Sequence, residues 1–161
     1  MSRGKRRAAA PESAPPATAP IRGLQRHELI LAIVASDNTF FPHYADGPKR
    51  GAATWVGRCI HCRAKLYVGA RGDVDRSVTI EHIYPQHLGG QDTPENLALA
   101  CARCNQLKGR RLDPLGAQDA RLLAVVEALR QQRRERWREP PQGSVLNART
   151  LLWLSSMPPP G

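Results

Sequence analysis

Residues 79–114 read TIEHIYPQHLGGQDTPENLALACARCNQLKGRRLDP, and this stretch decides the fold. It begins in an apolar run, residues 78–83, that carries Glu81 and His82 side by side. Neighbouring side chains of an extended strand point to opposite faces. This carboxylate and this imidazole can therefore divide two tasks, metal ligation and proton abstraction. Gly89 and Gly90 supply turn geometry with positive φ. Residues 97–100 read as a second short strand, and a helix is expected from about Ala102. Asn105 follows Cys104 directly, so anything that fixes the cysteine also fixes the amide. Lys108 lies three residues on, on the same helix face.

The four cysteines of the chain form two pairs, Cys59-x-x-Cys62 and Cys101-x-x-Cys104. Two such pairs place four thiolates where one tetrahedral zinc can take them. Small zinc ribbons separate their pairs by about 15–20 residues. Here residues 63–100 intervene, so the zinc clamps the ends of a larger insert that carries Glu81, His82 and Asn96. The readings set against zinc are a disulfide framework, which suits a secreted chain, and isolated redox pairs. Glu81 and Asn105 beside a basic helix suggest an oxygen-rich site for a hard divalent cation. Metal, base and basic surface together are what phosphodiester hydrolysis needs.

The flanks agree with an acidic partner. The chain has 161 residues, 24 Lys and Arg against 14 Asp and Glu, and a net charge of +10. Hydrophobic content is 41% with only 5% aromatic, so the core is modest and aliphatic. No run of 18 apolar residues offers an ordinary membrane span. The first twenty residues are basic but lack an apolar h-region, so no secretory signal is expected. They are rich in Ala, Pro and Ser and read as a disordered basic arm, either a solvated tail or a phosphate-binding one. Residues 24–35 read as a helix ended by Asp37 and Asn38. Residues 37–58 read as loop with a short strand near Trp55, and 64–68 as a strand set off from 78–83 by the turn 69–75. Residues 117–138 form an amphipathic helix with Leu122, Val125, Val126 and Leu129 on one stripe. Its arginine-rich end, 130–138, either complements the helix macrodipole or tethers DNA. Residues 140–161 are expected to be partly flexible, with a short helix packing back before Pro158.

The run 79–114, with the cysteine pairs, resembles the HNH endonuclease motif in its zinc-containing form. The acidic-His pair, the Pro, the Gly-Gly, the Asn-Leu, and CxxC followed by Asn and Lys-Gly all occur in order. The resemblance implies an α+β fold: a small ββα-metal (HNH) core clamped by a four-cysteine zinc site, with flanking helices. It implies His82 as general base and Asn96 as the residue that tethers the loop and orients His82 through its backbone. Glu81 and Asn105 would hold a catalytic divalent metal, and Cys59, Cys62, Cys101 and Cys104 a structural zinc. Asn in the last motif position favours oxygen ligation, hence Mg²⁺ or Mn²⁺. Lys108, Arg110 and Arg111 are expected to contact phosphate.

These expectations divide the chain into a basic arm (1–20), a helix and loop (21–58), a nuclease core (59–114), a basic helix (115–139) and a C-terminal segment (140–161). They describe an endonuclease acting on double-stranded DNA. The alternatives are a zinc-stabilised nucleic-acid-binding module without catalysis and a scaffold protein. Thiolate zinc suggests a reducing, cytoplasmic setting. The other histidines read as follows: His61 a spare zinc ligand at most, His27 and His43 uninformative, His87 a loop residue near the site. Trp55 and Trp137 read as core or interface residues.

Overall fold

The computed structural model describes residues 23–43, 54–144 and 146–158. The basic arm lies outside the described residues. The described residues begin with helix α1 (Arg26–Ser36), and strands β1 (Phe41–His43), β2 (Thr54–Arg58) and β3 (Lys65–Val68) follow. Next come β4 (Val78–His82), β5 (Leu97–Cys101), α2 (Ala102–Leu112), α3 (Ala120–Glu135) and α4 (Ala148–Leu154). One antiparallel sheet has the order β1-β2-β3, and β4 pairs with β5 in a separate antiparallel hairpin. The turn after β3 therefore joins two sheets; β3 bonds back to β2, and β4 bonds forward to β5.

The hairpin is the centre of the core. Its register sets Val78 opposite Cys101 and His82 opposite Leu97. Leu97, Ala98, Leu99 and Ala100 are all buried, because α1 packs against β5 and α2 against both strands. A strand covered on both faces shows a continuous apolar run rather than an alternating one. β5 passes directly into α2, with Cys101 as its N-cap residue. Strand, strand and helix thus form the expected ββα unit, and the whole is a mixed α+β fold.

α1 differs from a one-sided surface helix. From Leu29 to Ser36 every residue except Leu31 is buried. A helix covered nearly all round needs partners for its last carbonyls, which have no intrahelical donors. Arg138 donates to the carbonyls of Val34 (3.1 Å) and Ala35 (2.9 Å), and Arg133 to that of Ser36 (3.2 Å).

The same contacts correct the reading of 130–138 as a DNA tether. Arg133 is fully buried and takes the next position of the stripe Leu122, Val126, Leu129. Arg136 donates to the carbonyls of Arg58 (3.0 Å) and Cys59 (3.3 Å). Arg134 pairs with Glu95 and Glu127. Arg133, Arg136 and Arg138 are spent on internal carbonyls and Arg134 on surface carboxylates, and Arg133 also stacks over Trp137, 5.3 Å from the ring centroid. Burial pushes the Arg133 guanidinium down to about 10, so it remains charged near neutrality.

α4 forms where the sequence suggested a short helix. Asn147 caps it by accepting the Thr150 N–H (2.9 Å), and Trp153 and Leu154 enter the core. α4 packs on α1.

Candidate active site and zinc cluster

The ligand atoms of Cys59, Cys62, Cys101 and Cys104 all lie within 4.8 Å of one another. The sulfurs of Cys62 and Cys101 are 3.8 Å apart. That exceeds a disulfide bond of about 2.05 Å. It matches the edge of a tetrahedron with Zn–S bonds of about 2.3 Å, roughly 3.8 Å. Backbone N–H groups already serve these sulfurs: His61 and Cys101 donate to Cys59 (3.4 and 3.3 Å), and Cys104 donates to Cys101 (3.5 Å). The Cys62 thiol is brought down to about 7, chiefly by the backbone N–H of Ala64. Burial pushes Cys101 and Cys104 up. A bound cation overrides such differences by deprotonating its thiol ligands outright. The donor set and its spacing fit zinc.

The cluster fixes the start of α2. Cys101 ends β5 and Cys104 lies in the first turn of α2, so Asn105 is placed relative to β4 within narrow limits. Its amide nitrogen donates to Thr79 Oγ1 (3.1 Å) and the Ile80 carbonyl (3.3 Å). Both amide hydrogens are thereby used, and Oδ1 has no partner among the described residues. Asn105 borders a cleft of about 600 Å³ together with His82, Thr79, His87 and Arg110. Lys108 reaches the same wall from inside the protein.

Glu81 points away from His82, as alternation along β4 requires, and is completely buried. Its carboxylate accepts from the Lys108 ammonium on one oxygen and lies 3.2 Å from His61 Nε2 on the other. Lys108 also donates to the His82 carbonyl (2.6 Å). The lysine expected to reach phosphate is therefore engaged with Glu81, its side chain only 10% exposed. Arg110 and Arg111 are neighbours in sequence but face different ways: Arg110 borders the cleft of His82, Arg111 a groove shared with His61 and Leu115.

Asn96 closes the loop between the strands. Its Oδ1 accepts the Tyr84 N–H (2.7 Å), and its amide nitrogen donates to the carbonyls of Tyr84 (3.2 Å) and Gln91 (3.0 Å). Its own carbonyl accepts the Ile83 N–H (2.8 Å). The middle residue of the motif thus tethers the loop right after His82. Gly89 has φ of 98° and ends the short 3-10 turn Gln86–Leu88. Gly90 serves differently: a Cβ there would sit 2.0 Å from the Tyr84 carbonyl.

Three contacts had no signal in the sequence. Asp92 Oδ1 lies 2.7 Å from His82 Nε2, the Trp153 indole donates to the Asp92 carbonyl (2.6 Å), and His61 meets Glu81. Each joins separate elements, so no spacing rule finds them.

Among the described residues no helix is long and apolar enough to cross a membrane. No curated protein and no solved structure matches the chain. Residues 59–111 match the family model described as HNH endonuclease. The paired strands, the helix and the four clustered cysteines occupy that range, and residues 59–111 are therefore a segment of the HNH endonuclease family whose cysteines are clustered as in a zinc-binding form.

Proposed function

We propose that this chain is a metal-dependent endonuclease that hydrolyses double-stranded DNA, with His82 as general base. The observation that supports it is the shared cleft: His82, Asn105 and Arg110 border one opening at the surface. HNH nucleases act on nucleic acids, and the matched segment supports a nuclease-family function in general. A module that only docked on DNA would have no use for an imidazole and an unpartnered amide oxygen in one opening.

The donor types suit a hard divalent cation, Mg²⁺ or Mn²⁺, which Asn105 would hold from the cleft and Glu81 only on leaving its fully buried position, since it does not border that cleft. Asn105 offers a neutral oxygen, and Glu81 offers a carboxylate that an ammonium now neutralises. For Glu81 to serve as a ligand, Lys108 must yield the carboxylate to the metal. When bound, the metal supplies charge stabilisation at the scissile phosphate and the departing 3′ oxygen. His82 removes a proton from water, which attacks the phosphorus in line and leaves 5′-phosphate and 3′-hydroxyl ends. Arg110 holds a neighbouring phosphate.

The test is cleavage of plasmid DNA by the zinc-loaded protein with Mg²⁺ or Mn²⁺, with and without EDTA. Loss of a general base costs about 10²–10⁴-fold. His82→Ala should lose activity in that range and still bind DNA. Full cleavage by His82→Ala removes His82 as the base, and no cleavage by the wild type with any divalent metal sinks the nuclease reading and favours a binding module.

A further inference from the structure

The loop that faces His82 is held at successive residues. The Gln91 carbonyl accepts from Asn96 (3.0 Å) and from the Thr93 N–H (2.9 Å). The Asp92 carbonyl accepts the Trp153 indole N–H (2.6 Å). Trp153 is 1% exposed and sits on α4, outside residues 59–111. The Asp92 backbone is therefore set by the core, although its side chain is 48% exposed. From that fixed point Oδ1 reaches His82 Nε2 at 2.7 Å.

A carboxylate can only accept, so the imidazole nitrogen that meets it carries the hydrogen. The neutral ring then has its lone pair on the other nitrogen. Nδ1 of His82 has no hydrogen-bond partner among the described residues, and the ring borders the cleft. We propose that Asp92 is a positioning residue for His82. Its carboxylate keeps the imidazole protonated on Nε2 and basic at Nδ1, and Trp153 of α4 holds Asp92 in place. The role of this contact in cleavage rests on His82 being the base. The C-terminal helix thereby becomes part of the active site, although it lies beyond the nuclease motif.

The experiment uses the full zinc-loaded chain and three variants, Asp92→Asn, Trp153→Phe and His82→Ala. Asp92→Asn keeps the shape but offers an amide that can donate to Nε2, which favours the opposite tautomer. In a buried triad such a change costs about 10⁴-fold in kcat. With a half-exposed carboxylate the expected loss is smaller, on the order of 10–10³-fold, with KM and the melting temperature little changed. Long-range proton–nitrogen NMR of the His82 ring, assigned against His82→Ala, should show an Nε2–H tautomer in the wild type and its loss in Asp92→Asn. Trp153→Phe removes the indole donor and should lower kcat in the same sense by a smaller factor. Wild-type kcat in Asp92→Asn, a loss confined to KM, or an unchanged tautomer would overturn the role of Asp92. A Trp153→Phe protein that folds and cleaves like the wild type would overturn the role of α4. If His82→Ala still cleaves while the tautomer changes in Asp92→Asn, His82 is not the base and the catalytic role of Asp92 falls with it, although the contact itself stands.

Discussion

The Lys108 ammonium lies on the fully buried carboxylate of Glu81, 27 residues away, and ties α2 to β4. The same lysine donates to the carbonyl of His82. One cation thus holds both residues of the acidic-His pair, one through its side chain and the other through its backbone. A buried carboxylate that loses its only strong cation pays for desolvation without return.

This makes Lys108→Met informative. Breaking a buried ion pair from one side costs about 3–5 kcal/mol. The variant should unfold at lower urea without metal and recover part of that loss when Mn²⁺ is added, because the ion takes over the carboxylate. Melting curves of both proteins with and without Mn²⁺ measure this. Equal Mn²⁺ responses in wild type and variant would separate Glu81 from metal binding.

Zinc should be required for the fold around the hairpin. The cysteine cluster joins the loop before β3 to the junction of β5 and α2, and the Ile60 N–H also bonds the Leu99 carbonyl (3.1 Å). Structural zinc contributes apparent values of about 10–16 kcal/mol in small peptides. Cys104→Ser should retain well under one zinc per chain by metal analysis. Verified chelation of the wild type should reduce far-UV ellipticity and the melting temperature together. An unchanged spectrum and melting profile would leave the cluster without a folding role.

Arg133 and Ser36, 97 residues apart, make the second long-range clasp. The guanidinium donates to the Ser36 carbonyl and hydroxyl (3.2 and 2.8 Å), and its Nε to the carbonyls of Pro94 and Leu97 (3.1 and 3.0 Å). A lysine ammonium cannot span that set, so Arg133→Lys should also be destabilising. Arg133→Met leaves several buried acceptors unmet, at about 1–3 kcal/mol each, and should cost more than Arg133→Lys in urea unfolding. DNA affinity of the folded protein should be unchanged, because this charge is inside. A weakened affinity with normal stability would restore the tether reading.

Much of the nuclease segment is legible in the sequence because its constraints are local. The cysteine spacing, the apolar runs of β4 and β5, and the amide after Cys104 each act within a few residues, and the structure joins them in one hairpin and helix. The arginines of α3 mislead for the opposite reason. Charge count says nothing about whether a cation meets water or a carbonyl. Yet Arg133 continues the spacing of Leu122, Val126 and Leu129, a sign that this arginine faces inward. The continuous burial of α1 is equally hidden, since it depends on later segments closing over it.

The basic end of α2 separates two charges that are adjacent in the sequence. Arg110 borders the cleft of His82 and Asn105, whereas Arg111 borders the groove beside His61 and Arg121. If DNA enters the His82 cleft, Arg110→Ala should weaken binding and reduce the slope of log K against log salt by about 1. Arg111→Ala should change neither by as much, since His82 and Asn105 border the other cleft. Binding titrations of a short duplex at several salt concentrations, on catalytically silent His82→Ala backgrounds, measure both. A larger salt effect from Arg111 than from Arg110 would put the DNA on the other face of α2 and take the phosphate away from His82.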